Sequence, residues 1–125
     1  MELRLTDVGV IKPVETGIAF PRRDGDINTL LNKTNHHPNI EGHTFFTYPA
    51  PLAPVPAAAC AGETLIFDRI LEKLNALENC SSVDIRLIDG CGGLAVPLDA
   101  DGRDQRDLAL ALPVDSLVLV IENRL

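Results

Sequence analysis

Apolar residues in this chain gather into three short runs and one long periodic stretch. Val8, Val10, Ile11 and Val14 are closely spaced and mostly β-branched, which predicts a strand over Val8–Val14. Lys12-Pro13 is expected to mark its tip, because proline suits the end of a strand better than its middle. Phe67, Ile70, Leu74 and Leu77 recur at three and four residues, with Ile66 and Leu71 widening the stripe. That spacing predicts an amphipathic helix over Glu63–Glu78, closed by Asn79-Cys80-Ser81-Ser82. Shorter helices are expected at Asp26–Lys33, with acidic residues near its exposed N–H groups, and at Gly102–Leu112, stopped by Pro113. Val83–Ile88 and Ser116–Ile121 complete the set of strands. The second is apolar on both faces, as a central parallel strand must be.

Alternation of strands and helices implies an α/β domain with a mainly parallel sheet and flanking helices. Ligands in such sheets gather at the carboxyl ends of the strands. Lys12–Gly17 and Asp89-Gly-Cys-Gly-Gly93 occupy two of those ends. Between them, Thr34–Pro56 reads as a long irregular connection. Five of the nine prolines fall between Pro38 and Pro56. Tyr48–Ala58 is not expected to form a regular helix, because each proline lacks an N–H and biases its predecessor towards extended geometry.

Composition narrows the function. At 125 residues the chain reads as one domain, and 46% apolar with 23% charged residues is ordinary globular usage. A net charge of −7 argues against a nucleic-acid partner. No apolar run is long enough to span a bilayer, so no membrane is expected. The three cysteines, Cys60, Cys80 and Cys91, form no CxxC pair. With no export signal, they fit a reducing cytoplasm and small semi-buried roles.

Candidate chemistry sits at the strand ends. Lys12 is placed to meet a substrate anion, with the Thr16 hydroxyl four residues on. Asp89 occupies a position where acidic residues of nucleotide hydrolases hold Mg²⁺, and its glycines let a phosphate approach the backbone. Asp26, with Asp24 as a competitor, is the second acidic candidate. His36, His37 and His43 read as solvated loop residues. No Walker A sequence, G-x-x-x-x-G-K-[ST], occurs within the 125 residues.

Four segments together resemble the dethiobiotin synthetases: Val10-Ile-Lys-Pro-Val-Glu-Thr-Gly17, the Pro-rich Tyr48–Ala58, Leu87-Ile-Asp-Gly-Cys-Gly-Gly-Leu-Ala-Val-Pro-Leu98 and Leu112-Pro-Val-Asp-Ser-Leu-Val-Leu-Val120. The neighbouring cobyrinate amidating synthases share the glycine turn, but KPVxTG favours the first family. The resemblance implies a P-loop NTPase-like fold, incomplete here, with the P-loop and the C-terminal part of the family lying outside these residues. It implies a cytoplasmic, homodimeric ligase that closes the ureido ring of dethiobiotin from 7,8-diaminopelargonate, CO₂ and ATP with Mg²⁺. By the same resemblance Lys12 holds the carbamate and the transferring phosphoryl group, and Thr16 contacts the diamine. Asp26 and Asp89 hold metal and nucleotide, and Gly90, Cys91 and Gly92 form the nucleotide-side turn. Asp89 stands where the family usually has Glu, and Cys91 where it has a small residue such as Ala. The alternative expectation is a non-catalytic or partner-dependent domain that keeps the fold without ATPase activity.

Overall fold

The computed structural model describes residues 6–19, 25–33, 40–80 and 82–123. Its elements are β1 (Val8–Thr16), α1 (Asp26–Lys33), β2 (Ile40–Tyr48), α2 (Pro54–Cys60), α3 (Phe67–Cys80), β3 (Ile85–Ile88) and α4 (Gln105–Ala111). The three strands form one parallel sheet in the order β2-β1-β3. β1 is central and buried over its inner seven residues, which explains its run of valine and isoleucine. The architecture is that of an α/β, P-loop NTPase-like fold.

Pro13 lies inside β1 rather than at its tip. The sheet tolerates it for a local reason. The Ile11 carbonyl accepts from the Asp89 N–H, so odd-numbered residues of β1 direct their backbone groups towards β3. Pairing with β3 ends at Ile11↔Ile88, and the N–H that Pro13 lacks would fall beyond that pair. On the other side, β1 continues beside β2 as far as Thr16↔Tyr48.

β2 falls within the segment expected to be irregular, and α2 begins inside it. Residues 44–48, Thr-Phe-Phe-Thr-Tyr, are strong strand formers and pair with β1. Gly42 sits where α1 crosses β2; a Cβ there would come within 2.4 Å of Ile27 Cγ2. The prolines do not prevent α2 but begin it. Pro54 and Pro56 occupy its first turn, where N–H groups have no intrahelical acceptor, and Ala57-Ala-Ala59 propagates it. The helix ends in a Schellman turn. Gly62 takes a φ of +74°, its N–H donates to the Ala59 carbonyl, and the Glu63 N–H donates to the Ala58 carbonyl.

α3 starts four residues later than expected, at Phe67, and buries Phe67, Ile70 and Leu74. These join Ile11, Val14, Tyr48, Ala57, Ala58, Leu98 and Leu108 in the core. Arg103 fastens the start of α3 to the segment before α4. Its guanidinium stacks 4.6 Å from the Phe67 ring and bonds Asp68 at 2.9 Å and buried Asp99 at 2.7 Å. α4 spans Gln105–Ala111, shorter than the expected Gly102–Leu112, because Asp104 and Asp107 form a reciprocal capping box at its start.

Ser116–Ile121 is not a strand. No ladder reaches it among the described residues, and Val118 and Val120 are more than four-fifths exposed. An apolar run gains strand geometry only where another strand satisfies its backbone groups, and among the described residues none is placed beside it. β3 is likewise shorter than expected, starting at Ile85 rather than Val83, with Leu87 exposed.

Candidate functional site

The site is built where β1, α1 and the turn after β3 meet. Lys12 points from β1 into this junction and is buried to 7% exposure. Its Nζ lies 2.8 Å from Asp26 Oδ2, 2.9 Å from Asp89 Oδ2 and 2.8 Å from the Gly90 carbonyl oxygen. Asp26 is the first residue of α1, where a carboxylate is favoured by the free N–H groups. Asp89 is held beside Lys12 by its own N–H, which donates to the Ile11 carbonyl at 2.8 Å. Both carboxylates remain largely open to solvent while the ammonium does not. A buried cation is thus presented between two exposed anions.

Burial pulls the Lys12 ammonium towards deprotonation, but the hydrogen bonds and charges of Asp26 and Asp89 outweigh it, and its pKa is raised. Lys12 is therefore a fixed positive charge at neutral pH. Any stability it adds is fully present below the ordinary lysine value and is lost as pH rises through the raised one. The thermal midpoint difference between the parent and Lys12→Met should stay constant from neutrality to about pH 10 and narrow only above it. A difference that narrows below pH 9 would contradict this assignment.

Thr16 ends β1 beside Cys91, the buried residue of the glycine turn. Burial pushes the Cys91 thiol above its ordinary value, with the Lys12 charge acting in the opposite direction. Cys91 packs within the turn, among the buried residues of the core. Gly92 has a φ of +76°, the left-handed geometry that this turn requires of a glycine. Gly90 enters the site through its carbonyl, as an acceptor for Lys12.

Lys12, Asp26, Asp89 and Gly90 are thus in direct contact, with Thr16 and Cys91 alongside. Asp24, His36 and His37 lie outside the described residues. His43 is not in a loop but in β2, 3.6 Å from Glu41. A residue not anticipated is Glu15. Only 3% exposed, it accepts a hydrogen bond from the Asp26 N–H.

Among the described residues no cluster of three or more metal-ligating side chains occurs. Asp26 and Asp89 nonetheless fit Mg²⁺, which binds hard oxygens, keeps several waters and often takes only one or two carboxylates. Two carboxylates, Asp26 and Asp89, meet the one ammonium, and Glu15 lies behind Asp26 against its N–H. No described helix is long and apolar enough to cross a membrane.

The parallel α/β sheet thus carries a lysine and two aspartates beside the carboxyl end of β3, the side on which such sheets bind their ligands. No family model matches the chain. It is 39% identical to the ATP-dependent dethiobiotin synthetase of Mycobacteroides abscessus over 116 residues, 92% of this chain and 46% of that protein. It is 34% identical to that of Frankia casuarinae over 113 residues, 90% of this chain and 45% of the relative. The Sulfurovum sp. enzyme is 37% identical over 98 residues, 75% of this chain and 45% of its own length. Over the aligned segment the chain is similar to part of the dethiobiotin synthetases, and it spans about half the length of these curated relatives.

Proposed function

We propose that this chain supplies the carbamate- and metal-handling part of an ATP-dependent dethiobiotin synthetase. The observation that supports this most is the Lys12–Asp26–Asp89 cluster where β1, α1 and the turn after β3 meet, within a chain whose relatives are named for that activity. In this reading 7,8-diaminopelargonate, CO₂ and ATP are the substrates. Thr16 contacts the diamine. A carbamate formed on one amine attacks the γ-phosphate and releases ADP, and the second amine attacks the resulting carbamic–phosphoric anhydride, expelling inorganic phosphate as the ureido ring closes. Lys12 stabilises negative charge on the carbamate and the transferring phosphoryl group. Asp26 and Asp89 would hold Mg²⁺, which neutralises phosphate charge when bound, and Gly90, Cys91 and Gly92 form the wall on the nucleotide side. A soluble, cytoplasmic homodimer is the form in which we expect it to act.

No Walker A sequence is present in residues 1–125, so the phosphate cradle must come from other residues. ADP and dethiobiotin release from diaminopelargonate, bicarbonate, ATP and Mg²⁺ should be undetectable with residues 1–125 alone. It should appear when the chain is joined to a family P-loop segment and C-terminal portion. Turnover by the short chain would show that the cradle is dispensable. An inactive but folded long chain would favour a non-catalytic domain.

A further inference from the structure

The geometry points to Glu15 as a positioning residue: through its buried carboxylate it holds the first residue of α1 so that the Asp26 side chain meets Lys12. The inference rests on the reading of Lys12 and Asp26 given above and adds a residue to it. Glu15 is three positions beyond Lys12 on the same strand, yet it takes no part in the Lys12 contact shell. Its Oε1 accepts the Asp26 N–H, a charge-assisted bond to a group that α1 cannot satisfy internally. A second observation is independent of that bond. A Cβ added at Gly25 would stand 2.8 Å from Glu15 Oε2, so the chain entering α1 passes close against this carboxylate.

The consequence is a division of labour along β1. Lys12 supplies the charge that faces the reacting groups. Glu15 fixes the backbone from which the opposing carboxylate projects. A buried carboxylate is costly to place and is retained only with strong partners, and here its partner is the helix end that carries Asp26. Residues that orient a metal or charge ligand from behind commonly matter as much as the ligand itself.

The test reads the Lys12–Asp26 contact directly, without ATP or diamine, so its outcome is separate from that of the activity assay. Competitive labelling of lysines by an amine-directed reagent, quantified by mass spectrometry on the full 125-residue chain, gives the relative reactivity of Lys12. Asp26→Ala should raise it about fivefold. Glu15→Ala should raise it by a similar factor, and adding Glu15→Ala to Asp26→Ala should raise it no further, because both act through one contact. Glu15→Gln, which keeps an oxygen acceptor in place, should stay near the parent. Should Glu15→Ala not fold, Glu15→Asp takes its place, being one methylene too short to reach the amide. The inference is overturned if removing the acceptor leaves Lys12 reactivity unchanged. It is equally overturned if the effect persists in full in the Asp26→Ala background, which would mark a general loosening of the fold.

Discussion

Lys12→Ala, made in a chain that carries a Walker A segment, is expected to lower dethiobiotin formation at least a hundredfold. The magnitude follows from the kind of interaction lost. A preorganised donor aimed at developing negative charge contributes about 10²–10³ in turnover when it sits in a site shielded from water. Lys12 meets both conditions, since it is 7% exposed and is held by three oxygens before any substrate arrives. Binding and positioning therefore cost little reorganisation at the moment of phosphoryl transfer. Lys12→Arg should not restore the rate. A planar guanidinium is longer and forked, and it does not fit a pocket shaped by Asp26, Asp89 and the Gly90 carbonyl around a single nitrogen. Release of ADP and of dethiobiotin, followed separately, distinguishes loss of chemistry from idle ATP hydrolysis. A Lys12→Ala enzyme within threefold of the parent would remove Lys12 from the reaction.

Part of this site was legible in the sequence because Asp89 directly follows β3 and Lys12 lies just past the last β1–β3 pair. β1 declared itself through β-branched residues, and Asp89 follows an apolar run directly, so both were placed at the carboxyl edge of a parallel sheet. The motif resemblance then paired them with Asp26. What could not be read was tertiary in origin. Glu15 looks like an ordinary polar residue near a strand end; it is buried only because Gly25 and α1 fold over it. β2 was hidden by flanking prolines and by Gly42 and His43, which break the apolar pattern, although Thr44–Tyr48 carried a strand signal. α2 was hidden for a different reason. Proline opposes a helix interior but is well suited to a first turn, and Pro54 and Pro56 stand on the permitted side of that boundary. Ser116–Ile121 erred in the other direction. Its intrinsic preference for a strand is strong, but preference does not supply a neighbour, and among the described residues the run stays unpaired and exposed.

The second large effect is on stability, and it lies beneath the site. Ile70 is fully buried in α3 and belongs to the same core as Ile11 and Val14 of β1, the residues flanking Lys12-Pro13. Ile70→Ala removes three carbons from a packed interior and leaves a cavity, which typically costs about 2–5 kcal/mol. A domain of this length has about 6–19 kcal/mol to lose, at roughly 0.05–0.15 kcal/mol per residue. Exposed Leu87, Val118 and Val120 contribute little burial, which places this chain towards the lower end of that range. Urea unfolding should therefore show a midpoint lowered by about 1–2.5 M, at a slope of about 2 kcal/mol/M. Leu110→Ala is the matched comparison, because Leu110 is 85% exposed on α4 and its truncation should change stability by less than about 0.5 kcal/mol. Ile70→Val should fall between them, at about 1 kcal/mol. Equal midpoints for Ile70→Ala and Leu110→Ala would mean that α3 does not pack beneath β1, and the support for Lys12 would then have to come from elsewhere.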